Sequence, residues 1–179
     1  MSTNIMRIFS IFFFVLLIIG CSSSYNNQSH IGQKFPSIKG KNLDKEVINI
    51  PEEFKGDNTL LLIGYKQNSQ FDIDRWLIGL DMTETQVNVY EIPTIQGLFP
   101  QMFRTMIDNG MRAGIPKSLW KGVITVYQDG KKVQRFTGNE NPNNARVILL
   151  DKDGVITYMY DKGFSVEALN HVKDSLKKI

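Results

Sequence analysis

The run Thr59-Leu60-Leu61-Leu62-Ile63-Gly64-Tyr65 constrains this chain more than any other segment. It is too short for an ordinary helix, and after Thr59 it offers water nothing polar until Tyr65. A strand of this kind must be covered on both faces, which demands layers of structure above and below a sheet. The segments that follow can supply those layers. Ser69 can cap a helix through 72–81, with acidic residues in its first turn and Phe71, Ile73, Trp76, Leu77 and Leu80 on or near one face. Gln86–Ile92 (QVNVYEI) returns as a strand, and strand, helix, strand in this order suggests a right-handed parallel crossover.

The remaining elements follow from periodicity and turn chemistry. Glu46–Ile50 is a short β-branched strand. Pro100 suits the first turn of a helix that ends near 110–114, with Leu98, Phe99, Met102, Phe103, Met106, Ile107 and Met111 forming its core-facing side. Gly122–Tyr127 and Lys132–Phe136 flank Asp129-Gly130 and read as a β-hairpin. Arg146–Leu150 and Val155–Tyr160 flank Asp151-Lys152-Asp153-Gly154 and read as a second. Residues 138–145 (GNENPNNA) form a loop. Ser165 caps a final helix, with Phe164 and Leu169 as a staple and Val166, Leu169, Val172 and Leu176 as the buried stripe.

Composition narrows the function classes. A chain of 179 residues with 42% hydrophobic content is a globular protein of about one domain. A net charge of +3, from scattered basic residues, gives no stripe for nucleic acid. One cysteine excludes an intramolecular disulfide, a CxxC pair and a cysteine zinc cluster, and two histidines exclude a multi-histidine metal site.

That cysteine stands at a telling place. Arg7 precedes Ile8 to Ile19, an apolar run interrupted only by Ser10 and too short to span a membrane comfortably. Gly20-Cys21-Ser22 follows, and the pattern resembles the lipobox of bacterial lipoproteins, with Ile18 where Leu is commonest. The resemblance implies a signal peptide over 1–20 and acylation of Cys21. It implies an address at the cell envelope, in the outer membrane facing the periplasm if the host has two membranes. Residues 21–34 (CSSSYNNQSHIGQK) read as a flexible polar tether with His30 solvated, and 35–179 as the folded body.

Three stretches of that body resemble the thioredoxin superfamily, especially its peroxiredoxin-like and secreted thiol–disulfide branches. FPSIKGKNLDKEVINIPEEFKGDNTLLLIGY resembles its leading hairpin and first central strand. ARVILLDKDGVITYMYDKG resembles its strand, Asp-x-Asp-Gly turn and strand, and SVEALNHVKDSLKKI its closing helix. The implied fold is α/β, a thioredoxin-like mixed sheet flanked by helices, here with an extra β-hairpin insertion. The family's redox cysteines fall near Ser69-Gln70-Phe71-Asp72 and its cis-proline near Ala145, so both hallmarks are absent. The resemblance therefore implies a domain without thiol–disulfide activity. A looser resemblance, in MIDNGMRAGIPKSLW and in Leu149-Leu150-Asp151-Lys152-Asp153-Gly154, is to a thioredoxin-like family of mitochondrial ATP-synthase assembly factors, which implies a chaperone-like role.

The candidate partner- or ligand-binding residues gather at the former redox loop: Lys66, Gln67, Asn68, Ser69, Asp72 and Arg75. In the resembling family Asn144 and Arg146 face that loop. Lys66 and Arg146 are expected to point into solvent. Met102, Met106 and Met111 suit Cu(I), but their helical spacing fits core packing better. Asp151 to Gly154 lacks the remaining ligands of a calcium loop and reads as a turn. His171 reads as a surface residue. The sequence thus points to a non-enzymatic lipoprotein with neither metal nor cofactor, bound to the membrane through Cys21 and to a protein partner in the envelope. The alternative is an enzyme or small-ligand binder with a refitted polar pocket at the same place.

Overall fold

The computed structural model describes residues 24–179, so the expected signal peptide and Cys21 lie outside the described residues. The strands are β1 (Ile38–Asn42), β2 (Val47–Ile50), β3 (Thr59–Gly64), β4 (Asn88–Pro93), β5 (Ile124–Thr125), β6 (Arg146–Leu150) and β7 (Ile156–Tyr160). The helices are α1 (Gln70–Met82), α2 (Leu98–Met102), α3 (Arg104–Gly114), α4 (Gly130–Thr137) and α5 (Val166–Leu176). One sheet has the order β4-β3-β6-β7, the other β2-β1-β5. Strand β3 runs parallel to β4 and antiparallel to β6. Parallel bridges from Glu91 to Val123 and from Thr94 to Val126 stitch the two sheets together.

Every residue of β3 is buried, as its composition demands. Its side chains alternate between two cores. Leu61 and Ile63 pack with Phe35, Ile38, Ile50, Ile124 and Val133. Leu60 and Leu62 pack with Ile73, Trp76, Val147, Leu169 and Val172 on the opposite face. Helices α1 and α5 cover this second face, while α4 and the smaller sheet cover the first. The mixed sheet flanked by helices is therefore present.

The extra hairpin is not. Residues 130–137 form helix α4, in which Val133, Gln134 and Thr137 turn inward while Lys131, Lys132 and Arg135 face out. That spacing is helical, and it outweighs the Asp-Gly turn signal. Gly130 serves close approach rather than a positive φ: a Cβ there would stand 2.7 Å from the Ile95 carbonyl oxygen.

The expected core-facing helix near 100–114 is broken at Phe103 and lies on the rim. Met102 and Met106 are 70% and 67% exposed, and α3 buries no residue. Polar contacts attach this segment instead: the Tyr127 hydroxyl donates to Asp108 at 2.8 Å, and Arg112 Nε donates to the Leu43 carbonyl at 2.7 Å. The core-packing role expected for these methionines therefore fails.

In α5 the Ser165 hydroxyl accepts from Ala168 N at 3.1 Å, the expected cap. Val166, however, is exposed, and Ala168 joins Leu169 and Val172 in the core in its place. On α1, Ile73, Trp76 and Leu80 are buried, whereas Phe71 and Leu77 point outward.

The described part of the polar segment, 24–34, is docked rather than free. Gly32 N donates to the Ile156 carbonyl at 2.8 Å, and Ile156 N returns a bond to Gln33 at 2.9 Å. His30, expected in solvent, stacks on Phe136 with ring centroids 3.9 Å apart. Its second ring nitrogen lies 2.7 Å from the Phe136 carbonyl oxygen.

Candidate functional site

The end of β3, the start of α1 and the start of β6 meet as expected. Strand β3 ends at Gly64, a short 3-10 turn covers Gln67–Ser69, and α1 begins at Gln70. Asp72 joins the loops. Its Oδ2 accepts from Ala145 N at 2.9 Å and its Oδ1 from Phe164 N at 2.7 Å. The carboxylate is buried and supplies the acceptor that these two N–H groups need. Asp72 is thus a joint between three segments.

Ser69 is not a side-chain cap. Its hydroxyl turns back and donates to the Lys66 carbonyl at 2.7 Å. Gly64 makes room for it, because a Cβ there would stand 2.6 Å from that hydroxyl. Lys66, Gln67, Asn68 and Arg75 are exposed around this turn, while Ser69 and Asp72 are buried.

Arg146 overturns its expected place in solvent. It is 4% exposed and pairs with Asp161 at 3.3 Å. It also donates to the side-chain oxygen of Asn27. Asp161 Oδ2 further accepts from Asn27 at 2.6 Å and Asn141 at 3.0 Å, and Asn144 donates to the Asp161 carbonyl at 2.9 Å. Tyr65 and Thr137 share a short hydroxyl–hydroxyl bond beside this pair. Burial pushes the Tyr65 hydroxyl up to about 12, against the opposing pull of Thr137 and Arg146. Asn139 is buried and donates to Gln134 at 2.9 Å. Sequence reading passed over Asn27, Tyr65 and Asp161. An acidic residue directly after the β7 strand was the available signal for Asp161. Asn27 gave none, because it lies 119 residues from Arg146.

Glu91 in β4 is also buried, and Gln70 donates to it at 3.4 Å. Burial raises its pKa above the ordinary 4.5, opposed by Gln70 and assisted by Asp74. A raised folded-state pKa favours folding while the carboxyl is protonated, and that contribution is lost as pH rises through it. Glu91→Gln removes this loss. The variant should gain on the wild type in urea midpoint as pH rises above about 4.5, the ordinary value from which the Glu91 carboxyl is raised. A pH-independent difference contradicts this.

Two shallow grooves of about 390 and 380 Å³ lie elsewhere, one beside Glu46, Glu53, Tyr90 and Lys121, the other beside Leu77, Asp81 and Glu84. Among the described residues no group of three His, Cys, Asp or Glu could hold a metal ion. Asp151 Oδ1 accepts from Asp153 N and Val155 N, both at 2.9 Å, which closes the expected turn.

No protein-family model matches the chain, and no curated protein matches it. Its fold does recur among solved structures. Yeast Sco1 with copper bound superposes with a TM-score of 0.58 at 7% identity, covering 86% of this chain and 96% of that one. The pneumococcal exposed lipoprotein thioredoxin Etrx1 of Streptococcus pneumoniae gives 0.56 at 10% identity, covering 80% and 100%. A thiol peroxidase from Chromobacterium violaceum gives 0.52 at 13% identity, covering 87% and 92%. The chain has a thioredoxin-like fold. Its residues 22–179 contain no cysteine.

Proposed function

We propose that this chain is a membrane-anchored, redox-inactive protein of thioredoxin-like fold, lipid-bound through Cys21, that binds a protein partner or assists assembly in the cell envelope. The observation that carries the reading is Asp72. Where the fold's redox pair is expected, a buried carboxylate is engaged by two backbone N–H groups. Thiolate chemistry has no nucleophile there. The refitted-pocket alternative is less well supported, because Asp72 and Arg146 are both held in internal contacts and neither groove touches them.

Partner binding draws support from the outer side of α1. Phe71, Ile78 and Met82 are 71%, 57% and 79% exposed and follow one another along that side. Arg75 lies between Phe71 and Ile78 on the same side, Lys66 and Asn68 lie on the turn before the helix, and all three are exposed. An exposed apolar stripe bordered by polar side chains suits a protein surface better than a small ligand.

The anchor is tested separately. Among the described residues no helix is long and apolar enough to cross a membrane. Cys21→Ser should release or mislocalise the protein and abolish fatty-acid labelling, read by fractionation of envelopes. A variant still fully membrane-bound contradicts the lipid anchor.

A further inference from the structure

Residues 25–33, between the anchor and the body, form a docked strap. Tyr25 N donates to Asn139 Oδ1 at 2.7 Å, and the Tyr25 carbonyl accepts from Asn139 N at 2.9 Å. The Arg135 guanidinium lies 5.9 Å from the centre of the Tyr25 ring. Asn27 ties the strap to Asp161 and Arg146, and its Oδ1 also accepts from Glu140 N at 3.3 Å. His30 and Gly32 fasten the remainder to α4 and β7. Gly138 is needed beneath it, because any Cβ there would collide with the Asn26–Asn27 main chain.

This docking changes the reach of the anchor. A free tether would run from Cys21 to Lys34 and could extend to about 45 Å, enough to let the body turn over. With the strap docked, only the steps from Cys21 to Tyr25 remain, which extend to about 14 Å at most. That length is less than the diameter of a domain this size, so the body cannot turn its Tyr25 side away from the bilayer.

We infer that the docked strap holds the side of the body formed by Tyr25, Arg135 and the Asn139–Asn141 loop against the lipid headgroups. Tyr25 and the exposed Arg135 suit that boundary, one amphipathic and one cationic. The inference rests on acylation at Cys21.

The test uses the processed, acylated protein. Its own cysteine is blocked by the lipid, so Glu140→Cys supplies the one free thiol for a donor dye. The protein is added to phosphatidylethanolamine–phosphatidylglycerol vesicles carrying an acceptor lipid. Three forms are compared: this parent, a strap-release form with Tyr25→Ser, Asn27→Ser and His30→Ser, and a form with a Gly/Ser linker of 20 residues inserted after Ser23. The linker form leaves every docked contact intact. Energy transfer should be high in the parent and fall by about twofold or more in both altered forms. Equal transfer in the parent and the linker form overturns the inference, as does strap release without effect. Failure of the parent to float with the vesicles overturns the lipid anchor itself, a result flotation separates from the other two.

Discussion

Arg146→Glu should cost a large part of the domain's stability. Arg146 starts the central strand β6, is 4% exposed, and forms an ion pair with Asp161 at 3.3 Å. Removing one member of a buried pair costs about 3–5 kcal/mol, because the other charge is left without compensation. Glutamate adds a second buried carboxylate beside Asp161. Domains of this kind hold only about 5–15 kcal/mol in total. Lys66→Glu, on the exposed turn, should change stability by about 0.5 kcal/mol or less. Urea denaturation of the two variants separates these cases. Wild-type stability in Arg146→Glu would show that the pair does not hold the strands together.

Asp72→Ala comes next in size. It leaves the buried Ala145 N and the half-buried Phe164 N without an acceptor, at about 1–3 kcal/mol for the buried one and less for the other. The expected loss is about 3 kcal/mol, with Asp72→Asn intermediate because its amide keeps one acceptor oxygen. Hydrogen exchange should quicken at the Ala145 and Phe164 amides in both variants. Unchanged exchange there, with unchanged stability, contradicts the joint assigned to Asp72.

The parts of the fold that local pattern controls were legible. The run at β3 demanded two covering layers, and its alternation supplies both cores. Ser165 and the Asp151 turn follow from side-chain chemistry within a few residues. The meeting of the Asp72 and Ala145 loops followed from the family resemblance.

The misreadings share a physical cause. Amphipathic spacing in 98–114 shows that a helix has an apolar side, but not that the core has room for it. Asp129-Gly130 can turn a hairpin or open a helix, and the tight approach to Ile95 that favours the helix is a tertiary fact. Polarity in 24–34 suggested solvent, yet its amides and His30 meet partners more than 100 residues away. The burial of Arg146 is hidden for a related reason: Asn27, which with Asp161 makes it tolerable, lies 119 residues away.

The partner surface is tested most directly by photo-crosslinking in intact envelopes. A photoreactive amino acid at Phe71, 71% exposed at the start of α1, should yield one discrete protein adduct that weakens with Lys66→Glu. The same group at Val47, 60% exposed on β2, should yield none. An adduct from position 47 and none from position 71 would contradict a partner surface at the start of α1.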